Sequence, residues 1–179
     1  LPLTAAALED LMTAQGLRDL VAVAGRARQA LSIDSEPTEF ALRLGESLQH
    51  ILVDEYQDTS IDQFELLQKL TLGWSNGDGR SVLLVGDPMQ SIYGFRDAEV
   101  ALFLRAQSEG LGDLKLQYLE LHRNFRSRAS IVEFVNHRFA SLMPQQNDLP
   151  VGQAAYSGAV AARTDGAPGV VRLHLLARG

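Results

Sequence analysis

The sequence predicts an α/β fold with a parallel sheet, and three observations support this fold class. Two apolar runs, at 50–53 and 82–85, have the length and composition of buried strands. The segment between them carries apolar residues at helical spacing, and the order strand, helix, strand favours a right-handed crossover with parallel strands. Both runs end in acid, with Asp54 and Glu55 after the first and Asp87 after the second. Because parallel strands place their carboxyl ends at one edge of the sheet, we expect these acids to share that edge.

The segments before the first strand are predicted to be helical. Residues 3–31 are rich in alanine and leucine at helical spacing, and Gly16 is expected to divide them into two helices. Thr38 is expected to cap a further helix at 40–48. The continuous apolar run at 50–53 is typical of a strand that is covered on both faces.

Signals after the first strand define the remaining elements. Thr59 and Asp62 are spaced as a capping box that opens a helix. That helix would present Phe64, Leu67 and Leu70 on one face. Further elements are expected in this order: a helix at 97–107, a hinge or linker at 109–113, a strand at 114–121, a helix at 130–142, a surface segment at 144–169 and a closing strand at 169–177.

The composition limits the class of protein. The chain has 179 residues, of which 46% are hydrophobic and 21% charged, and this excludes a disordered tail. The net charge of −6 argues weakly against nucleic-acid binding, although a local basic patch is still able to bind phosphate. No membrane helix and no signal peptide are recognisable, and the absence of cysteine fits a cytoplasmic location. The start at Leu1 rather than methionine indicates a piece of a longer protein.

Three short motifs follow one another along the chain. They are DEYQDTS at 54–60, GDPMQSIYGFR at 86–96 and NFRS at 124–127. In this order and spacing they resemble motifs II, III and IV of superfamily 1 DNA helicases of the UvrD/Rep type. The longer run GDPMQSIYGFRDAEV, together with NFRS and FVN, is most similar to the RecB/AddA branch (exonuclease V beta subunit-like), the helicase–nuclease subunits of double-strand-break repair. The likeness spans Phe40 to Met143.

The resemblance implies both a fold and a domain plan. It predicts a partial RecA-like (P-loop NTPase) parallel sheet with flanking helices, followed by the opening of a second RecA-like domain. Residues 1–112 would form the latter half of the first motor domain, which carries the Walker B motif and motif III. Residues 113–179 would form the start of the second motor domain, which carries motif IV.

The resemblance also gives four polar residues roles around ATP and Mg²⁺. Asp54 is similar to the Walker B aspartate that holds Mg²⁺ on the nucleotide phosphates. Glu55 is similar to the glutamate that orients and activates the attacking water, a role that suits an ionised carboxylate. Gln90 matches the glutamine that senses the γ-phosphate and couples it to the DNA site. Arg126 matches an arginine that reaches the γ-phosphate from the second motor domain.

Three further residues would contact DNA. By the same resemblance, Tyr93, Phe95 and Arg96 line the track for single-stranded DNA. Flat rings stack on any base, so binding there would tolerate any sequence. Two positions depart from the family pattern, because Phe95 stands where many relatives have tryptophan and Asp97 replaces a frequent glycine. The smaller ring and the added negative charge would both weaken DNA affinity.

The Walker A loop is missing from these residues. Its pattern G-x-x-x-x-G-K-[ST] needs a lysine after glycine, and lysine occurs only at Lys69, after Gln68, and at Lys115, after Leu114. The resemblance therefore implies an ATP-dependent DNA helicase or translocase, moving 3′ to 5′, as the full-length parent, with this chain inactive by itself. The expected partners of the parent are single-stranded and duplex DNA and a second helicase–nuclease subunit, with no membrane involved.

Two other functions stay open at this point. A helicase-like domain that has lost its motor would serve as a non-catalytic scaffold for protein or DNA, but retention of all four polar residues around the nucleotide favours an active parent. A metal-dependent nuclease built on four acids is the weaker alternative, because no lysine accompanies them. The four acids are Asp54, Glu55, Asp58 and Asp87.

Overall fold

The computed structural model describes residues 2–18, 20–33, 36–92, 99–163, 170–172 and 174. The helices in these ranges are α1 (Pro2–Ala14), α2 (Leu20–Leu31), α3 (Glu39–Ser47), α4 (Ile61–Leu70), α5 (Val100–Ser108) and α6 (Ala129–Leu142). The strands are β1 (Ser32–Ile33), β2 (Glu36–Pro37), β3 (His50–Val53), β4 (Ser81–Leu84), β5 (Arg123–Arg128) and β6 (Val160–Arg163). Short 3₁₀ helices span Tyr56–Asp58 and Pro88–Gln90. The result is a mixed α/β chain with short sheets, compatible with the predicted fold class.

Strands β3 and β4 pair in parallel over their whole length. Helix α4 connects them, so the predicted strand–helix–strand unit with parallel strands is confirmed. The pairing continues past the assigned strands, because the Val85 N–H donates to the Val53 carbonyl at 2.8 Å. Asp54 and Asp87 therefore follow the carboxyl ends of neighbouring strands, at one edge of the sheet.

The prediction that the first strand is covered on both faces is wrong for the part of the chain that the structure describes. Leu52 and Leu83 lie opposite each other on β3 and β4, and they are 68% and 55% exposed. We call these two residues the open leucine pair. Their strand neighbours Val53 and Leu84 point to the opposite face and are half-buried. The continuity of the apolar run at 50–53 predicted two covered faces, but the helices described pack on one face of it.

The hydrophobic core lies against the covered face of β3 and β4. Strand residues Val53, Val82 and Leu84 pack against a cluster of five buried side chains. The cluster consists of Tyr56, Phe64, Leu102, Ala106 and Leu111. Burial raises the pKa of the Tyr56 hydroxyl to about 12, and the charge of Arg105 opposes this by a smaller amount. The core thus joins the residue after Glu55 to helices α4 and α5.

The helices before β3 begin and end largely as predicted. Gly16, with a positive φ of 69°, lies between α1 and α2, which confirms the predicted break. Thr38 caps α3, because its hydroxyl accepts the Ala41 N–H at 3.1 Å. This second prediction is also confirmed.

The N-terminus of α4 is capped one residue later than predicted. Ser60 is the N-cap: its hydroxyl accepts the Gln63 N–H at 3.4 Å, and the Gln63 side chain accepts the Ser60 N–H at 3.0 Å. The predicted box of Thr59 and Asp62 is wrong, because Thr59 closes the preceding 3₁₀ helix by donating its N–H to the Tyr56 carbonyl at 3.1 Å.

The segment 109–113, predicted as a hinge or linker, is a tight turn fixed at its centre. Leu111 is fully buried in the core, and its N–H donates to the Leu114 carbonyl at 2.9 Å. Gly110 has a φ of +97°, and a β-carbon there would lie 2.0 Å from the Leu114 oxygen. A residue with a side chain would therefore clash at this position.

A second strand–helix–strand unit follows this turn. Strands β5 and β6 pair in parallel and are connected by α6, whose predicted position at 130–142 is confirmed to within one residue. Asn136 of α6 holds the segment before β6: its amide donates to the Ala159 carbonyl at 2.7 Å and accepts from the Tyr156 hydroxyl at 2.8 Å. β6 lies inside the segment 144–169, for which a surface segment without a strand is predicted.

One predicted strand in this half differs from the structure, and most of a second lies outside the described residues. The alternating segment 114–121 is not a strand; Leu119 and Leu121 are 72% and 95% exposed, and no strand among the described residues pairs with it. Leu114 is buried and Leu116 packs against the core, but the segment joins no strand ladder, whereas the polar run of β5 pairs with β6. The closing strand predicted at 169–177 is described only at 170–172 and 174, where the backbone is irregular.

None of the helices in the described ranges has both the length and the apolar character needed to cross a membrane.

Candidate functional site

The carboxyl ends of β3 and β4 form the candidate site. Asp54 and Glu55 follow β3 and are exposed, and Asp87 follows β4 and is half-buried. The Tyr56 N–H donates to the Val85 carbonyl at 2.9 Å, so the two chain segments stay joined past the strands. Because β3 and β4 are parallel and in register, these acids lie at one edge of the sheet, as predicted.

Glu55 has an unusual backbone conformation. Its φ of 52° and ψ of 39° lie in the left-handed region, and it is the one non-glycine residue with positive φ in the described ranges. This conformation costs a residue with a β-carbon about 1–2 kcal/mol. It turns the chain abruptly from β3 into the 3₁₀ helix at Tyr56–Asp58. Such strain at a non-glycine residue clusters at functional sites.

Gln57 connects the two strand ends through its buried amide. Its Nε2 donates to Glu55 Oε2 at 2.6 Å and to Asp58 Oδ2 at 3.3 Å. Its Oε1 accepts the backbone N–H of Asp87 at 2.9 Å. The side chain is 2% exposed. No role for Gln57 is predicted from the sequence, although it is a polar residue within the same motif, two residues after Glu55.

The Asp87 carboxylate holds the loop after β4 through two hydrogen bonds. Its Oδ1 accepts the Met89 N–H at 3.0 Å, which caps the 3₁₀ helix Pro88–Gln90. Its Oδ2 accepts from the Gln90 side-chain amide at 2.6 Å. Ser91 then donates its hydroxyl to Asp58 Oδ1 at 3.2 Å. Gln90 is therefore held beside the acidic edge.

Arg126 lies on β5, in the second strand–helix–strand unit, and is exposed. The Asn124 side-chain oxygen accepts the backbone N–H groups of Arg126 and Ser127 at 3.0 and 2.8 Å. This fixes the backbone turn that presents the arginine. In the described part of the chain, no hydrogen bond or ion pair joins Arg126 to the acidic edge.

With the geometry of the edge defined, the comparisons with known proteins decide the family. Residues 3–110, more than half of the chain, match the family described as the UvrD/REP helicase N-terminal domain. The chain belongs to this family. The resemblance that was inferred from the three motifs is thereby confirmed.

Curated relatives agree on the branch of this helicase family. An ATP-dependent helicase/nuclease subunit of Desulfitobacterium hafniense is 35% identical over 166 residues, 83% of this chain and 11% of the relative. The protein of the same name from Lysinibacillus sphaericus is 36% identical over 148 residues, 79% of this chain and 12% of the relative. The exonuclease/helicase subunit RexA of Lactococcus lactis is 37% identical over 131 residues, 73% of this chain and 10% of the relative. The chain thus spans roughly a tenth of the length of each of these relatives.

The predicted site residues of this UvrD/REP-family chain fall into three groups. Asp54, Glu55 and Gln90 are brought to one edge, with Gln90 bound through Asp87. Arg126 lies on the other strand–helix–strand unit. The predicted DNA-contacting residues are outside the described ranges, as is Asp97. They are Tyr93, Phe95 and Arg96.

The donor set at the edge suits a Mg²⁺ ion that is shared with phosphate. Mg²⁺ is usually bound by one or two carboxylates, substrate phosphates and waters rather than by a cage of protein ligands. Asp54 provides a carboxylate whose Oδ1 accepts the Glu55 N–H at 2.9 Å. Within the described ranges no three acidic, histidine or cysteine side chains are grouped as metal ligands, so the four acids of the nuclease alternative do not form such a cage.

Proposed function

We propose that this chain is part of the motor core of an ATP-dependent DNA helicase or translocase, and that its acidic edge carries the carboxylates for ATP hydrolysis. The observation that supports this most directly is the continuous set of hydrogen bonds from Glu55 through Gln57 and Asp87 to Gln90. A group that acts on water and a group that contacts the last phosphate must sit side by side. This edge supports such an arrangement with bonds of 2.6, 2.9 and 2.6 Å, of which the two made by Gln57 are partly buried.

Each residue has a distinct proposed role. Asp54 would hold Mg²⁺, which would neutralise charge on the phosphates when bound. Glu55 orients the attacking water and accepts its proton, because an exposed carboxylate is a competent general base. Gln90 contacts the γ-phosphate through its amide. Arg126 approaches the same phosphate from the second unit, where a guanidinium stabilises developing negative charge.

The wider activity of the full-length protein is part of the same proposal. Curated relatives are named as subunits of an ATP-dependent helicase/nuclease, and we extend ATP use, DNA as substrate, a helicase–nuclease partner and 3′-to-5′ movement to this protein. Residues 1–112 and 113–179 would belong to two successive motor domains, a plan that the two strand–helix–strand units support. Tyr93, Phe95 and Arg96 would contact single-stranded DNA. The isolated 179-residue chain would have negligible ATPase activity because it carries no Walker A lysine.

The test is Glu55→Gln in the full-length protein. The amide keeps the shape of the side chain but cannot accept a proton, so ATP turnover should be abolished while titration with a fluorescent ATP analogue shows nearly unchanged binding. Glu46→Gln, the same change at an exposed residue of α3, is the matched control and should have no effect. Wild-type turnover by Glu55→Gln would contradict the proposed function.

A further inference from the structure

Gln57 is a buried polar residue that the roles assigned above do not use. It makes hydrogen bonds of 2.6, 2.9 and 3.3 Å to three different residues, and both ends of its amide are occupied. Two of these partners lie in its own motif, and the third follows the neighbouring strand 30 residues later. A side chain placed only for packing would not need this set of partners.

The partners dictate which way the amide points and which residue types fit. Only the oxygen accepts the Asp87 N–H, so the NH₂ group must face the carboxylates of Glu55 and Asp58. A glutamate would keep the acceptor but place a further negative charge against those acids. A lysine would supply donors but no acceptor for Asp87. Of these three residue types, glutamine alone satisfies both ends.

Gly86 shows that the neighbouring strand end is shaped to admit Gln57. A β-carbon at Gly86 would lie 2.4 Å from Gln57 Oε1 and 3.0 Å from the Tyr56 nitrogen. Gly86 does not have a positive φ, so its backbone conformation does not require glycine. Close approach of the Gln57 amide oxygen and of the Tyr56 and Gln57 backbone nitrogens therefore disfavours a side chain at this position.

We propose that Gln57 is a positioning residue that fixes the Glu55 carboxylate against the strand end carrying Asp87 and Gln90. This inference rests on the proposed function, since it assigns Gln57 an effect on hydrolysis through Glu55. Glu55 is exposed and would otherwise sample several rotamers. The bond to Gln57 selects one of them, and the bond to Asp87 aligns it with the loop that holds Gln90.

The experiment uses two substitutions in the full-length protein. Gln57→Met has a similar size but no polar end, and Gln57→Glu keeps the acceptor for Asp87 while removing the donors to Glu55. Both should lower kcat by about 100-fold, the typical effect of misplacing a catalytic group by about 1 Å, with little change in KM for ATP.

A second readout does not depend on turnover. In Gln57→Met the Asp87 amide hydrogen loses its acceptor, so it should exchange with solvent faster than in the wild type, whereas in Gln57→Glu it should stay protected. Gln63→Met is the matched control, since it removes a buttressing bond at the cap of α4 and should lower the melting temperature without changing kcat. If one of the Gln57 variants fails to fold, the kcat of the other variant tests the positioning role.

The outcomes separate this inference from the proposed function. If Glu55→Gln abolishes turnover but a folded Gln57 variant keeps the wild-type kcat, the positioning role is wrong and the proposed function stands. If Glu55→Gln itself keeps turnover, the proposed function fails first.

Discussion

The side-chain amide of Gln90 donates a 2.6 Å hydrogen bond to the carboxylate of Asp87. The other oxygen of that carboxylate accepts the Met89 N–H, so the loop leaves β4 in a fixed conformation. One amide hydrogen of Gln90 is used in this bond, and the second remains for a phosphate oxygen. Holding the amide in place beforehand reduces the reorganisation needed when charge develops on the phosphate.

Gln90→Ala in the full-length protein should therefore lower DNA-stimulated ATP turnover by about 100-fold, the usual effect of losing one preorganised donor. Steady-state ATPase assays with saturating single-stranded DNA measure this. Gln117→Ala, at an exposed position after the turn at 109–113, should have the same ATP turnover as the wild type. Equal turnover in the Gln90 and Gln117 variants would show that Gln90 has no role in ATP hydrolysis.

Arg126→Ala should reduce turnover by several powers of ten, because a cationic finger stabilises the transferring phosphoryl group. ATP affinity should change much less than kcat, since the charge being stabilised develops during the reaction. Arg123→Ala, a change of the same kind on the same strand, is the control. The role fails if both variants lose activity to the same extent.

Phe95→Ala should separate DNA binding from basal hydrolysis. Loss of one stacking ring should weaken single-strand binding by about 1–3 kcal/mol, while ATPase activity without DNA persists. Fluorescence anisotropy with a labelled oligonucleotide measures the affinity at fixed salt concentration. Phe139→Ala on α6 controls for the general loss of an aromatic side chain. Unchanged oligonucleotide affinity together with unchanged DNA-stimulated ATPase would rule out the stacking role.

Asp78 should make stability depend on pH in the acid range. Its bond from the Arg80 guanidinium, together with the Ser75 and Arg80 backbone N–H groups, lowers the pKa of the carboxyl from 3.8 to about 2. A lowered pKa means that the carboxylate stabilises the fold fully above pH 3.8 and loses this effect as the pH falls through about 2.

Asp78→Asn should therefore have a lower free energy of unfolding than the wild type at neutral pH. The difference in unfolding free energy between the two proteins should become smaller as the pH falls from about 4 to about 2. Urea denaturation at a series of pH values measures it. A difference between Asp78→Asn and the wild type that stays constant with pH would mean that the carboxylate is not held by these bonds in solution.

The features that local sequence determines were predictable. β3 and β4 are short apolar runs, and the acids directly after them had to lie at one edge once the strands were parallel. The break at Gly16 and the cap at Thr38 depend on one or a few neighbouring residues. These predictions required no knowledge of distant contacts.

The features that depend on distant pairing were not predictable from one sequence. β5 is a polar run that becomes a strand because Arg123 lies opposite Val160, far along the chain. The segment 114–121 has the better alternation, but no strand among the described residues pairs with it; its Lys115 backbone bonds the Asn76 side chain instead. Gln57 was missed for the same reason, since its oxygen meets an amide that is 30 residues distant. The cap of α4 was displaced by one position because Thr59 was already used by the preceding turn.

The open leucine pair has a practical consequence for work on the chain produced by itself. Two adjacent strands present large apolar side chains to water, and such surfaces favour association with other apolar surfaces. A net charge of −6 opposes that association only through weak, salt-screened repulsion. Soluble yield should therefore fall as protein concentration and ionic strength rise, and dilute, low-salt buffers are the conditions in which this chain should remain monodisperse.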